Sequence, residues 1–181
     1  MNSLGTLLAP DTVRLERLLP GPIERVWQYI VDDEKRRLWL TGGGGAVDLK
    51  VGGKVHMILD NRRFVEPGDL PPPKYAELSG ESHIRGRVTA CEPPYLFAYL
   101  WDHEAGEPFE VTIELERRGD RVLLVLTHAR ATVRGELVAV SAGWHTFLDI
   151  LQARLADEKA PSYWRRMGEL EARYENTFPP W

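Results

Sequence analysis

A chain of 181 residues, 43% apolar and 28% charged, can bury the core of one globular domain and is too apolar to be a disordered chain. Its 23 basic and 27 acidic side chains sum to −4, which argues against nucleic acid as a partner, because phosphate binding needs a concentrated basic surface. One cysteine, Cys91, excludes an internal disulfide, and no apolar run reaches the ~20 residues that span a bilayer, so a cytoplasmic protein without a membrane span is expected.

Thr12–Leu19 alternates, with Val13, Leu15, Arg17 and Leu19 on one side and Thr12, Arg14 and Glu16 opposite, which predicts a strand. Pro20-Gly21 ends it. Pro22 suits a first helical position, because its missing N–H would have had no partner there. Ile23, Val26, Trp27 and Ile30 follow at helical spacing, and Asp32-Asp33-Glu34 opens a second short helix that ends with Leu38, Trp39 and Leu40. Gly42–Gly45 reads as a flexible break. Ala46–Lys50 and Lys54–Asp60 read as strands joined by a turn at Val51-Gly52-Gly53. Asn61–Gly80 contains four prolines and reads as a long loop. Four more strands are expected at Ser82–Cys91, Tyr95–Trp101, Phe109–Arg117 and Arg121–Arg130, with turns at Glu92-Pro93-Pro94, around Gly106 and at Gly119-Asp120.

The end of the chain is helical. Ser141 reads as an N-cap, and Trp144, Phe147, Leu148, Leu151 and Leu155 form the stripe of a long helix. Pro161 breaks or restarts it, and Tyr163, Met167, Leu170 and Tyr174 make a second stripe. The order strand, two helices, six strands, long helix predicts an α+β fold: a curved antiparallel sheet of seven strands around a long C-terminal helix. One domain over residues 1–181 is expected, with a core over about 12–158 and a helical extension over 159–181.

If Gly119-Asp120 is a two-residue turn, Leu115 pairs with Leu124, Ile113 with Leu126 and Val111 with His128. Val122, Leu124, Leu126 and His128 then face inward. Tyr95, Phe97, Tyr99 and Trp101 share one face of their strand, but Leu96, Ala98 and Leu100 make the other face apolar too, so pattern leaves that choice open. A curved sheet closing on one helix need not fill its interior, and such a cavity is a ligand site by default. Tyr99, His128 and His145 are its candidate polar groups.

The common catalytic motifs are missing. Gly53-Lys54 is followed by Val55 and has Asp48 where a phosphate loop needs its first glycine, and Gly42 and Gly44 lead to Val47 rather than to a dinucleotide glycine. His56, His83, His103, His128 and His145 form no H-x-H or H-E-x-x-H pair, so no metal site and no cofactor is expected. There is no G-x-S-x-G, and Cys91 has no histidine nearby in sequence. Asp32-Asp33 and Asp102/Glu104 read as helix-start and turn residues, and no catalytic residue is assigned.

Five stretches carry a family resemblance: VRLERLLPGPIERVWQYIVDDEKRRLWL (Val13–Leu40), DLKVGGKVHM (Asp48–Met57), GRVTACEPPYLFAYLW (Gly86–Trp101), Glu110–His128 ending in LVLTH, and SAGWHTFLDIL (Ser141–Leu151). Together they resemble the family named for the activator of the heat-shock-protein-90 ATPase, in the START-like, or SRPBCC, superfamily. The resemblance implies a helix-grip fold and a bacterial single-domain member, without the second domain of the eukaryotic co-chaperone. It also brings three functional expectations. The leading one is binding of a small hydrophobic or aromatic molecule among Trp39, Met57, Tyr99, Trp101, His128, Trp144 and Phe147, with His145 and His128 available to hydrogen-bond a polar handle. The second is a polyketide cyclase or dehydratase, with His128 or His145 as general acid or base and Tyr99 orienting a ketone. The third is a chaperone-linked interaction module. The loop Asn61–Gly80 and the tail after Ala160 would cover the cavity mouth or form a homodimer contact.

Overall fold

Each strand expected from alternation has a counterpart, the one expected over Ala46–Lys50 running instead over Gly42–Val47, and one more strand precedes them. The computed structural model describes residues 3–102 and 107–180; His103, Glu104 and the turn around Gly106 lie outside the described residues. Strands β1 (Thr6–Ala9), β2 (Thr12–Pro20), β3 (Gly42–Val47), β4 (Lys54–Asp60), β5 (Glu81–Glu92), β6 (Leu96–Trp101), β7 (Phe109–Arg118) and β8 (Arg121–Ala129) make one antiparallel sheet. Its order is β1-β2-β8-β7-β6-β5-β4-β3. The sheet thus has eight strands rather than the expected seven. The extra one, β1, is an edge strand held by backbone pairing to β2, and its mostly exposed side chains leave no period-two signature.

Helices α1 (Ile23–Val31) and α2 (Asp33–Arg36) follow β2, and Asp32 caps α2 by accepting from the Lys35 amide at 2.9 Å. A π-helical turn, Arg37–Thr41, continues α2 into β3. The long helix α3 (Arg134–Leu155) lies between the sheet and the terminal helix α4 (Tyr163–Thr177), and its buried residues run around its whole circumference. It starts seven residues before Ser141. Ser141 is no cap; its hydroxyl donates to the Leu137 carbonyl at 2.6 Å inside the helix.

The glycine run is a strand rather than a break. Gly45 has φ +116°, and a Cβ there would lie 2.2 Å from the His56 carbonyl oxygen, so only glycine lets β3 approach β4 so closely. The β7–β8 hairpin has the expected register, Leu115↔Leu124, Ile113↔Leu126 and Val111↔His128. Pairing of Phe97 with Ile113 and Tyr99 with Val111 settles β6, whose aromatic face turns inward.

The loop between β4 and β5 docks on α4. Its Asp69 carboxylate accepts from the Ser162 hydroxyl (2.5 Å) and from the Trp164 and Arg165 amides (3.1 and 3.3 Å), so it caps the helix from a distant part of the chain. Tyr75 of the same loop stacks on Trp164 at 5.9 Å and donates to the Glu171 carboxylate at 2.5 Å.

Arg17, on the inward row of β2, meets Asp149 of α3 at 3.2 Å, and its side chain is 1% exposed. Arg166 of α4 binds the same carboxylate at 2.8 Å. Burial lowers the Arg17 pKa, opposed by Asp149, so the guanidinium depends on that partner. Asp149→Ala leaves a buried cation uncompensated and is expected to cost roughly 3–5 kcal/mol in urea unfolding. The double variant Arg17→Met/Asp149→Leu is expected to lose less than Asp149→Ala alone; an equal or larger loss contradicts this account.

Candidate functional site

A cavity of about 270 Å³ opens between α3, α4 and the β4–β6 end of the sheet. Helix α3 contributes Ala139, Val140, Gly143, Trp144 and Phe147, a single face at helical spacing. Tyr163, Trp164 and Met167 of α4 form the opposite wall, with Tyr75 from the docked loop. The sheet side is made by Leu59, Ser82, His83, Ile84 and Trp101, and Leu40 and Asn61 complete the lining. No Lys, Arg, Asp or Glu is among these residues.

Of the eight residues expected at a cavity, Trp101, Trp144 and Phe147 are on this wall. Trp39, Met57 and Tyr99 are fully buried in the core away from it, because the curved sheet packs closely on α3 and the π-helical turn there. His128 and His145 are also fully buried and off the wall.

His128 stands behind the wall. Its Nδ1 accepts from the Trp144 indole N–H at 3.0 Å, so its own proton sits on Nε2, which has no partner among the described residues. The ring packs against Phe109 at 4.8 Å and Trp101 at 5.9 Å. Burial lowers its pKa to about 3, so it is neutral at physiological pH and holds the Trp144 indole in place.

His145 faces the other way. The Tyr174 hydroxyl accepts from the Gly5 amide at 2.8 Å and shares a hydrogen bond of 3.0 Å with His145 Nδ1, while Nε2 lies 3.8 Å from Asp149. Burial, then the Arg17 charge, lowers the His145 pKa to about 3. Neither histidine touches the cavity, so the acid–base arrangement expected from them is not assembled at its wall. Deeper still, Tyr99 Oη, Arg36 Nε and Thr41 Oγ1 are buried without hydrogen-bond partners among the described residues.

The sequence reading did not assign Asn61, Tyr75, Tyr163, Trp164 or Met167 to the site. Tyr163 and Met167 were visible only as a helical stripe, and nothing local says that part of such a stripe faces a void. His83 meets His56 at 2.9 Å, yet no three His, Cys, Asp or Glu groups that could hold a metal ion gather among the described residues. Nor is any helix among them long and apolar enough to cross a membrane. Burial raises the pKa of the free Cys91 thiol, which fits a spectator rather than a nucleophile.

The family model described as Activator of Hsp90 ATPase homolog 1-like protein matches residues 20–156. The Bordetella parapertussis protein encoded by gene BPP1335 is 35% identical, with 99% of this chain and 92% of that one covered and a TM-score of 0.80. CalU16 from Micromonospora echinospora is 24% identical, covering 91% of this chain and 86% of its own, at a TM-score of 0.66. DynU16, a protein in the dynemicin biosynthetic locus, is 20% identical at a TM-score of 0.60; 85% of this chain matches half (50%) of that longer one. No curated protein matches the chain in sequence.

The burial of neutral His128 makes stability depend on pH. Its folded pKa, about 3, is below the ordinary value of 6.5, so the unfolded chain binds the proton more tightly. This contribution is complete above pH 6.5 and is lost as pH falls toward 3. Relative to His128→Gln, the wild type is expected to lose about 1.4 kcal/mol per pH unit across that window, read from urea midpoints. Parallel pH profiles for the two proteins contradict the assignment.

Proposed function

The chain belongs to the activator of Hsp90 ATPase homolog 1-like family, with its START-like helix-grip fold, and from that premise we propose that it binds a small hydrophobic or aromatic molecule between α3 and α4. The wall carries this reading. Trp101, Trp144, Phe147, Tyr163 and Trp164 line an open cavity of about 270 Å³, a concave apolar surface of the kind that takes small ligands. A ligand seated there takes those aromatic faces and its own apolar surface out of water. The position of DynU16 in a biosynthetic locus supports a small-molecule role. The binding unit is one domain over residues 1–181 acting in the cytoplasm, and a homodimer would appear in the same mass spectrum as the ligand.

Native mass spectrometry, followed by denaturation to release small molecules, tests the proposal. The wild type is expected to carry a discrete small-molecule mass, or to bind 2-isopropenylnaphthalene with quenching of tryptophan fluorescence. In Ala139→Trp the new indole fills the cavity, and both signals are expected to fall at least tenfold with the fold retained. A wild type that neither carries such a mass nor responds to the probe refutes the proposal.

A further inference from the structure

We infer that the hydroxyl of Tyr163 is the hydrogen-bond anchor of this cavity, and that its ligand is a flat, uncharged molecule with one acceptor oxygen, such as an aryl ketone, ester or quinone. The inference rests on the cavity being a ligand site.

Tyr163 lines the cavity, and only 4% of its surface is exposed. Its ring is fixed between Phe147 (5.0 Å) and Trp164 (4.9 Å). Its hydroxyl has no hydrogen-bond partner among the described residues and its oxygen keeps accessible surface on the cavity side, so a ligand acceptor can reach it. Two other polar groups on the wall are engaged: the Trp144 N–H by His128, and the Tyr75 hydroxyl by Glu171. Asn61 Oδ1 is buried without a partner among the described residues and, being a carbonyl oxygen, can only accept, which leaves Tyr163 to donate. Burial raises the Tyr163 pKa, so the group stays protonated and can donate.

Space for an acceptor lies beside it. A Cβ built on Gly143 would meet Tyr163 Oη at 3.7 Å and no other heavy atom within 4 Å. Glycine in the middle of a helix is unfavourable relative to alanine, and here its missing methyl leaves α3 bare next to the hydroxyl. The rest of the wall decides the ligand's character. Aromatic faces favour a flat apolar body, and a lining without Lys, Arg, Asp or Glu gives a charged ligand no counter-ion. Tyr163 lies beyond residues 20–156, the segment matched by the family model, so this anchor belongs to the α4 extension.

The test compares two probes of the same shape, 2-acetylnaphthalene and 2-isopropenylnaphthalene, which differ in a carbonyl oxygen against a methylene. Titrations followed by tryptophan fluorescence are expected to show the wild type binding the ketone about five- to tenfold more tightly. Tyr163→Phe removes only the unpaired hydroxyl. It is expected to bind the two probes equally, with hydrocarbon affinity and unfolding temperature unchanged. Gly143→Ala places a methyl beside the hydroxyl and is expected to weaken the ketone more than the hydrocarbon. Equal binding of both probes by the wild type, or a ketone preference that survives in Tyr163→Phe, overturns the anchor and leaves the cavity proposal standing. Binding of neither probe overturns the anchor, and together with the absence of a co-purified small-molecule mass it overturns the cavity proposal as well.

Discussion

Asp149 is the residue on which the rest of the arrangement depends. A carboxylate on the central helix is out of water only because Arg17 reaches it from the sheet and Arg166 from the terminal helix. Each of the three elements therefore carries a charge whose partner is on another, and the distance between α3 and α4 follows from that shared ion cluster. The same cluster orders His145 and Tyr174, and through the Tyr174 hydroxyl it reaches the backbone of Gly5. Apolar packing alone would allow α4 to slide along α3; a bridged carboxylate fixes the register.

With α4 fixed, the cavity follows. Tyr163, Trp164 and Met167 face α3 across a gap that α3 does not fill, because it presents Ala139, Val140 and Gly143 there. The long loop closes the outer side. Asp69 supplies the carboxylate that the N-terminus of α4 otherwise lacks, and Tyr75 bridges Trp164 and Glu171. On the inner side His128, neutral because it is desolvated, turns the Trp144 indole N–H away from the void. The cavity is thus a product of the docked extension as much as of the helix-grip core.

How much of this was legible depended on the range of the interactions. The β7–β8 register was legible because Phe109–Leu115 alternates and a two-residue turn allows one pairing. Strand β6 was not, because both of its faces are apolar and only its neighbours choose between them. Gly42–Gly45 looked like a break because glycine permits many conformations, and the ladder to β4 selects one of them. Ser141 looked like a cap because serine is favourable there, yet α3 had already begun at Arg134 and buries Ser141 in its interior. In the site, Trp144 and Phe147 could be found from helical spacing, whereas Trp101 sits on β6, whose inward face only its neighbours decide. Tyr163 and Tyr75 could not be found, since their sequence surroundings carry no sign of the wall they share.

By itself, then, the amino-acid sequence determined the α+β class, the antiparallel run of strands, the long C-terminal helix and the inward rows of β2, β7 and β8. All of these are written in periodicities of 2 and 3.6 residues that the backbone imposes locally. The eighth strand, the burial of Arg17 against Asp149 and the capping of α4 by Asp69 were decided by the tertiary structure alone. So was the removal of His128 and His145 from the cavity wall. These depend on partners distant in the chain, and local pattern carries no information about which buried polar group will find which partner.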